Sequence, residues 1–405
     1  MKSVAMVAAF LAAWCVTGPA LAEDFAVVGA RIYADPQAKA LENGVVIVRD
    51  GRIAAVGSRA QVSVPQGMKT IPGAGRTLVA GFWNSHVHLM THDLLHPDAA
   101  DPAKLEGQLR DMFTRWGFTT VFDLTSSTAS ATTLRRMIQE GRFAGPQILT
   151  VGDPFFPKNG TPVYARPVYE AEHIAVPEIR STPEAVARLD RQAQAGVDGV
   201  KLFTGAILGA EDVMVMPADQ IRALTAAAHR HRLPVFAHPT NREGMNAAVE
   251  NGVDVLAHAT PIAGPWDAAQ VRKLVSAHVA LVPTMMLFEV YPADSTPVAT
   301  VVQQVRALSE GGGEVLFGTD AGFMDVFDPS AEYRLMAQAM DWRHVLAALT
   351  TTPARRFGQS HVRGRIGRGL AADMVLLDGD PALDTAAFAK VAVTIRAGEI
   401  LSSIE

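Results

Sequence analysis

The 405-residue sequence has one cysteine and no strong excess of either charge. Lysine and arginine total 36 against 41 acidic residues, a net charge of −5, and like charges never gather into a long run. Such a chain offers no basic stripe to nucleic acid and carries no acidic tail. Charged residues make up only 19% and hydrophobic ones 49%, which excludes a disordered or fibrous chain. Nor is there an apolar run long enough to anchor in a membrane. Residues 4–16 are too short, and polar Glu23-Asp24 soon follows.

The single cysteine is informative by its position. Cys15 lies in the first 22 residues, which read as a signal peptide: Lys2 gives a positive start, 4–16 an apolar stretch, and Ala20-Leu21-Ala22 small residues at the −3 and −1 positions. Trp14 before Cys15 does not fit a lipoprotein signal, which needs a small residue there. Cleavage is expected near Ala22, with export to the periplasm or beyond. The mature chain then has no thiol. It can form no disulfide, must rely on a large core, and can bind metal only through nitrogen and oxygen.

Residues 23–78 read as short strands and turns. Val45-Val46-Ile47-Val48 and Ile53-Ala54-Ala55-Val56 are joined through Asp50-Gly51, a hairpin signal. Residues 356–405 look similar, with Asp373-Met374-Val375-Leu376-Leu377 and a later break at Gly398. Two β-rich ends suggest one small β-sandwich built from both termini. Between them, 79–355 alternates apolar strands with amphipathic helices. Strands are expected at 78–88, 119–123, 147–152, 198–203, 234–238, 253–258, 280–284 and 315–320, the size and rhythm of an α/β (β/α)8 TIM barrel. The segment 153–180 is long for a strand-to-helix connection and is expected to cover the site.

His86-Val87-His88 ends the first of these strands. Residues i and i+2 of a strand share a face, so both imidazoles point to the strand's C-terminal end, where such barrels do chemistry. The same spacing in His229-Arg230-His231 falls in a predicted helix, where the two side chains diverge. His238, His258 and Asp320 each close another predicted strand. Singly, each reads more readily as a satisfied buried polar group; as a set at equivalent places they read as ligands. Lys201 sits inside apolar Val200-Lys201-Leu202-Phe203, where an unpaired ammonium is costly. It is either ion-paired, reaching to the rim, or neutral and able to react with carbon dioxide to give an anionic carbamate.

These residues, with Asn84-Ser85 before them, Gly318-Thr319 before Asp320, and Gly364-Arg365-Ile366-Gly367, Gly369 and Ala372-Asp373 near the end, resemble the amidohydrolase superfamily. Within it they are most similar to the binuclear, carboxylated-lysine members of the imidazolonepropionase-like and Xaa-Pro-dipeptidase-like branch. The resemblance implies that His86, His88 and Asp320 hold one divalent metal and His238 and His258 the other, with carboxylated Lys201 between them. It implies Asp320 as general base and then general acid, two ions of the zinc kind, and carbon dioxide for the carbamate. Two features depart from peptidase-like relatives: no tyrosine lies between Lys201 and Tyr291, and the third-strand loop reads Pro157-Lys158-Asn159-Gly160-Thr161. Tyr164, Arg166, Asn241 and Arg242 are rim candidates for gripping a substrate.

The resulting expectation is an exported metal-dependent hydrolase cleaving an amide, peptide-like or cyclic amide bond of a small molecule. A deaminase or a lactone/ester hydrolase on the same scaffold is the alternative, and a non-catalytic secreted binding protein a distant third. No nucleic-acid partner and no stable membrane anchor are expected; a homo-oligomer is compatible with the sequence.

Overall fold

Tight two-residue turns make strands of the chain's two ends. Asp50 (φ 48°) and Gly51 (φ 71°) take the left-handed backbone that suits the twist of a hairpin, joining Leu41–Arg49 to Arg52–Ser58. Ala397 (φ 47°) and Gly398 (φ 80°) do the same between Val391–Arg396 and Glu399–Ser403. The computed structural model describes residues 23–209, 212–293 and 297–403, so the expected signal segment with Cys15 lies outside the described residues.

Strands from both ends share one hydrogen-bonded sheet. Its order is Glu399–Ser403, Val391–Arg396, Met374–Leu377, Thr77–Ala80, Phe25–Ile32, Leu41–Arg49 and Arg52–Ser58, with Lys69–Pro72 parallel to Phe25–Ile32. The two ends meet where Met374–Leu377 runs antiparallel to Thr77–Ala80, Met374 opposite Ala80. One face buries Phe25, Val27, Leu78, Leu376 and Ile395 together. The hydrogen bonds thus run through one continuous sheet where the sequence suggested two packed ones.

The expected first strand, 78–88, divides in two. Thr77–Ala80 belongs to this terminal sheet, whereas Phe82–Val87 opens the parallel part of the molecule. Gly81 is the break. Its N–H donates to the Asp373 carbonyl at 2.8 Å, and a Cβ there would lie 2.3 Å from Thr119 Oγ1, so no larger residue fits.

The middle is an α/β fold of the TIM-barrel type. Phe82–Val87, Phe118–Asp123 and Gln147–Thr150 form one parallel sheet; Val200–Leu202, Val235–Ala237, Val255–Ala257 and Ala280–Val282 form another. Parallel bridges Phe155–Leu202, Leu281–Val315 and Val87–Ala321 run between them. Every strand position here but half-buried Gln147 is buried, as expected of parallel strands covered on both faces. The segment 315–320 is not a regular strand. It is held by the bridge at Val315 and by Leu316 N–H to Leu281 O (2.8 Å) and Ser85 N–H to Phe317 O (2.7 Å). Helices are capped as their sequences suggest: the Ser181 hydroxyl accepts from the Glu184 N–H at the start of Thr182–Gln194. No helix of the described residues is long and apolar enough to cross a membrane.

Candidate metal centre

Gly318 lets the segment bearing Asp320 approach the strand bearing His86; a Cβ there would lie 2.3 Å from Val282 Cγ1 and 2.8 Å from His86 Cβ. Asn84 locks the two together. Its Nδ2 donates to Thr319 Oγ1 (2.7 Å), and its Oδ1 accepts from the Thr319 N–H (3.2 Å). The outcome is that Asp320 Oδ1 lies 3.0 Å from His86 Nε2 and 2.8 Å from His88 Nε2. His258 joins them: its ring is 4.5 Å from that of His86, and ligand atoms of His86, His258 and Asp320 all lie within 4.8 Å of one another. His238 stands 4.6 Å from His258 on the other side, stacked on Phe203 at 4.7 Å. Lys201 is 1% exposed, with Nζ 5.6 Å from the Phe203 ring centre.

His258 (φ 114°) and Asp320 (φ 63°) both hold left-handed backbone, a strained conformation that non-glycine residues keep mostly where surrounding packing demands it.

The protonation pattern favours a bound cation. Burial holds His86 at about 3 and keeps His238 and His258 well below the usual histidine value, so all three are neutral imidazoles near pH 7. Burial opposes ionisation of Asp320, but His86 and His88 outweigh it and hold its carboxyl well below the usual range. Burial brings the Lys201 amine down to about 7, against the pull of Asp320. His88 Nδ1 faces the Thr125 carbonyl at 3.3 Å and His258 Nδ1 faces Thr284 Oγ1 at 2.8 Å. The Thr284 hydroxyl itself donates to the Pro283 carbonyl. Each imidazole therefore donates from Nδ1 and turns Nε2 inward, and in neutral His258 that Nε2 carries a lone pair. His88 Nε2 and His86 Nε2 both face Asp320 Oδ1, at 2.8 Å and 3.0 Å, so three donor atoms converge on one spot where a cation would sit. Both ring nitrogens of His86 are buried without a hydrogen-bond partner. Donors on one zinc-sized ion sit about 3 Å apart. The residues fit a divalent metal.

Above this centre opens a cavity of about 730 Å³. Its wall is aromatic and aliphatic: Phe156, Tyr164, Tyr169, Phe203, Leu287, Phe288, Tyr291 and Phe323 contribute to it. Several come from the long 153–180 segment, which folds over the site as expected and carries the helix Arg166–Ala171. Among the described residues no arginine lines the cavity.

Of the rim candidates, only Tyr164 reaches it. Its hydroxyl lies 3.4 Å from His238 Nε2, and burial pushes its ionisation upward. Arg166 is exposed at the start of its helix and is not in the lining. Asn241 caps the helix Arg242–Glu250, accepting from the Gly244 N–H at 2.8 Å, and Arg242 is bonded to the Ala263 carbonyl. Capping and loop anchoring, roles that Asn and Arg fill as readily as ligand binding, keep both out of the cavity. Sequence reasoning missed Thr284, Thr125 and Phe203, which orient histidines; no spacing rule marks a hydroxyl or carbonyl supplied by the next strand.

The His229/His231 pair behaves as helix geometry requires. His229 Nε2 meets Asp254 at 2.8 Å and His231 Nε2 meets Asp190 at 2.7 Å.

Comparison with known proteins agrees with this architecture. Comparison with curated proteins by sequence finds no match. Among solved structures, a candidate prolidase from Bifidobacterium longum superposes with a TM-score of 0.79 at 24% identity, covering 94% of this chain and 95% of its own. A Xaa-Pro dipeptidase with methionine in its active site gives 0.78 at 20%, covering 93% and 99%. Molinate hydrolase gives 0.76 at 20%, covering 94% of each. These likenesses show the fold. Residues 77–401 match the amidohydrolase family along most of the chain. The chain belongs to the amidohydrolase family, hydrolases that act on carbon–nitrogen bonds.

Proposed function

We propose that this chain is an exported, metal-dependent hydrolase that cleaves the amide-type C–N bond of a small, largely apolar molecule. The observation that carries the reading is the convergence of His86, His88, His238, His258, Asp320 and Lys201 at the foot of one apolar cavity. The two parallel sheets, with the bridges between them, are read as one closed barrel, and the terminal sheet as a small domain at its side. His86, His88 and Asp320 would hold one divalent ion, His238 and His258 a second, with Lys201 as its carbamate between them. Zinc suits a set made only of nitrogen and oxygen. When bound, such ions lower the pKa of water and polarise a carbonyl.

The chain's own residues supply the rest. Asp320 is ionised and placed to accept a proton at Oδ1 and return it to a leaving nitrogen. Thr284 and Thr125 hold Nδ1 of His258 and His88, keeping Nε2 of both rings turned inward. Tyr164, held protonated by burial, offers its hydroxyl beside His238 to a substrate oxygen. The aromatic wall excludes water and selects apolar groups. With no arginine among the described lining residues, the wall suits an uncharged group better than a free carboxylate. Export rests on the Ala20-Leu21-Ala22 pattern and the absence of any later cysteine.

The test is hydrolysis of a panel of N-acyl anilides, ureas, carbamates, cyclic amides, lactones and dipeptides by the metal-loaded protein. Apolar amide-type substrates should be cleaved, and His86→Ala should abolish both cleavage and stoichiometric metal. Release of ammonia from an amino-heterocycle, or cleavage confined to lactones, would replace this reading by the deaminase or lactonase one.

A further inference from the structure

A second set of metal-competent side chains lies outside the buried centre. The short helix His92–Leu95 begins with His92 and is capped by His96. Residues i and i+4 of a helical turn share a face, and here the two imidazoles lie 4.8 Å apart, centre to centre. Glu172, which caps the end of the helix Arg166–Ala171, reaches across to them. Its Oε2 lies 3.2 Å from His92 Nδ1 and 3.0 Å from His96 Nε2. Ligand atoms from all three residues fall within 4.8 Å of one another. The Glu172 side chain is 17% exposed while that of His92 is 74% exposed, so the carboxylate is held and the opening faces solvent. Asp93, next in sequence, is engaged elsewhere by Lys104 and Gln108 and does not compete.

The placement gives this cluster a structural consequence. The two elements it joins are also two pieces of the cavity wall, to which Leu95 contributes from one side and Val168 and Ile174 from the other. The long covering segment is closed on itself, where the Glu178 carboxylate accepts from the Asn159 N–H (2.9 Å) and the Thr161 hydroxyl (2.5 Å). A tie at Glu172 would instead fix this closed unit to a separate element.

We propose that His92, His96 and Glu172 form a surface site for a divalent transition-metal ion of the zinc type, and that its occupation clamps the covering segment to the helix His92–Leu95. Two imidazoles and a carboxylate favour zinc, nickel or copper over magnesium or calcium, which prefer oxygen. Three protein ligands leave a fourth position for water, an open tetrahedral site. The present nitrogen–oxygen separations match those between neighbouring donors on one such ion, about 3 Å, so binding demands little rearrangement. This ion would be additional to those of the buried centre and would act on the cavity wall.

The test compares the metal-loaded protein with its His92→Ala/His96→Ala variant, each titrated with Zn²⁺ against a chromophoric chelator. The unaltered protein should take up one more ion per chain than the double variant. Glu172→Gln should weaken that last ion by about ten-fold or more, a loss of the size expected when one ligand is impaired. Amide hydrogen exchange over residues 164–174 should slow on adding Zn²⁺ in the unaltered protein and not in the double variant. Equal uptake by the two proteins would overturn the site. Uptake without any slowing of exchange would overturn the clamp. Comparison by difference keeps the result separate from whatever the buried centre holds.

Discussion

The sequence contains His-x-His twice, and the two copies meet opposite fates. In Phe82–Val87 and the residue after it, the pleat sends His86 and His88 to the same carboxylate, Asp320. At the end of Ala218–Arg230, helical rotation sends His229 to Asp254 and His231 to Asp190. The first pair is buried, with 0% and 7% exposure, whereas the second forms half-exposed surface contacts with carboxylates. Spacing alone carries no chemistry. The secondary structure beneath it decides whether two imidazoles can face one partner, and burial decides how far that partner is shielded from water.

The sharpest way to break this contrast is to truncate one histidine from each pair. His86→Ala should lower kcat/KM on any substrate found by roughly 10³-fold or more, while His231→Ala should stay within about two-fold. Comparable losses in both variants would mean that the strand pair has no special role. A smaller effect is expected behind the buried pair's neighbours. Thr284→Val removes the acceptor of the His258 Nδ1–H and should weaken metal binding by about 10–100-fold, measured by competition with a chelator, while Thr284→Ser should retain it. If valine and serine behave alike, the hydroxyl does not orient His258.

The same contrast extends to carboxylates. Glu332 is wholly buried and accepts from the Met286 N–H at 2.7 Å, on the helix Met285–Val290 that supplies Leu287 and Phe288 to the cavity. Burial raises its pKa from 4.5 to about 8. Between those values the folded chain binds the extra proton, so Glu332 lowers stability as pH rises through that window. Glu332→Gln should flatten the fall in urea midpoint between about pH 5 and pH 8; an unchanged slope would show that Glu332 does not titrate there. Smallest of all, the exposed His231–Asp190 pair should contribute no more than about 1 kcal/mol, so His231→Ala should barely move the thermal midpoint.

Much of this was legible because strands and hairpins leave local marks. Asp50-Gly51 announced its turn, and apolar runs ending in a polar residue announced where Asp320, His238 and His258 would stand. What stayed hidden was non-local. The division at Gly81 depends on Asp373 and Thr119, far away in sequence. The irregular 315–320 segment passes so close to His86 and Val282 that position 318 has no room for a Cβ. Asn241 and Arg242 looked free to bind a substrate because the loop carbonyl and the cap that occupy them cannot be read from neighbouring residues.

The strand Thr77–Ala80, one residue from Phe82–Val87, is paired with Met374–Leu377. That pairing sets an order in time. While the ribosome is still making the middle of the chain, the strand leading to His86 has no partner on that side. That contact can form only once residues 374–377 have been made, about 300 residues later, and such distant contacts close slowly. Truncation before residue 374 would leave the approach to His86 without that support, even with all six residues of the candidate centre present. A strand made about 300 residues after Thr77–Ala80 thus completes the support on which the approach to His86 rests.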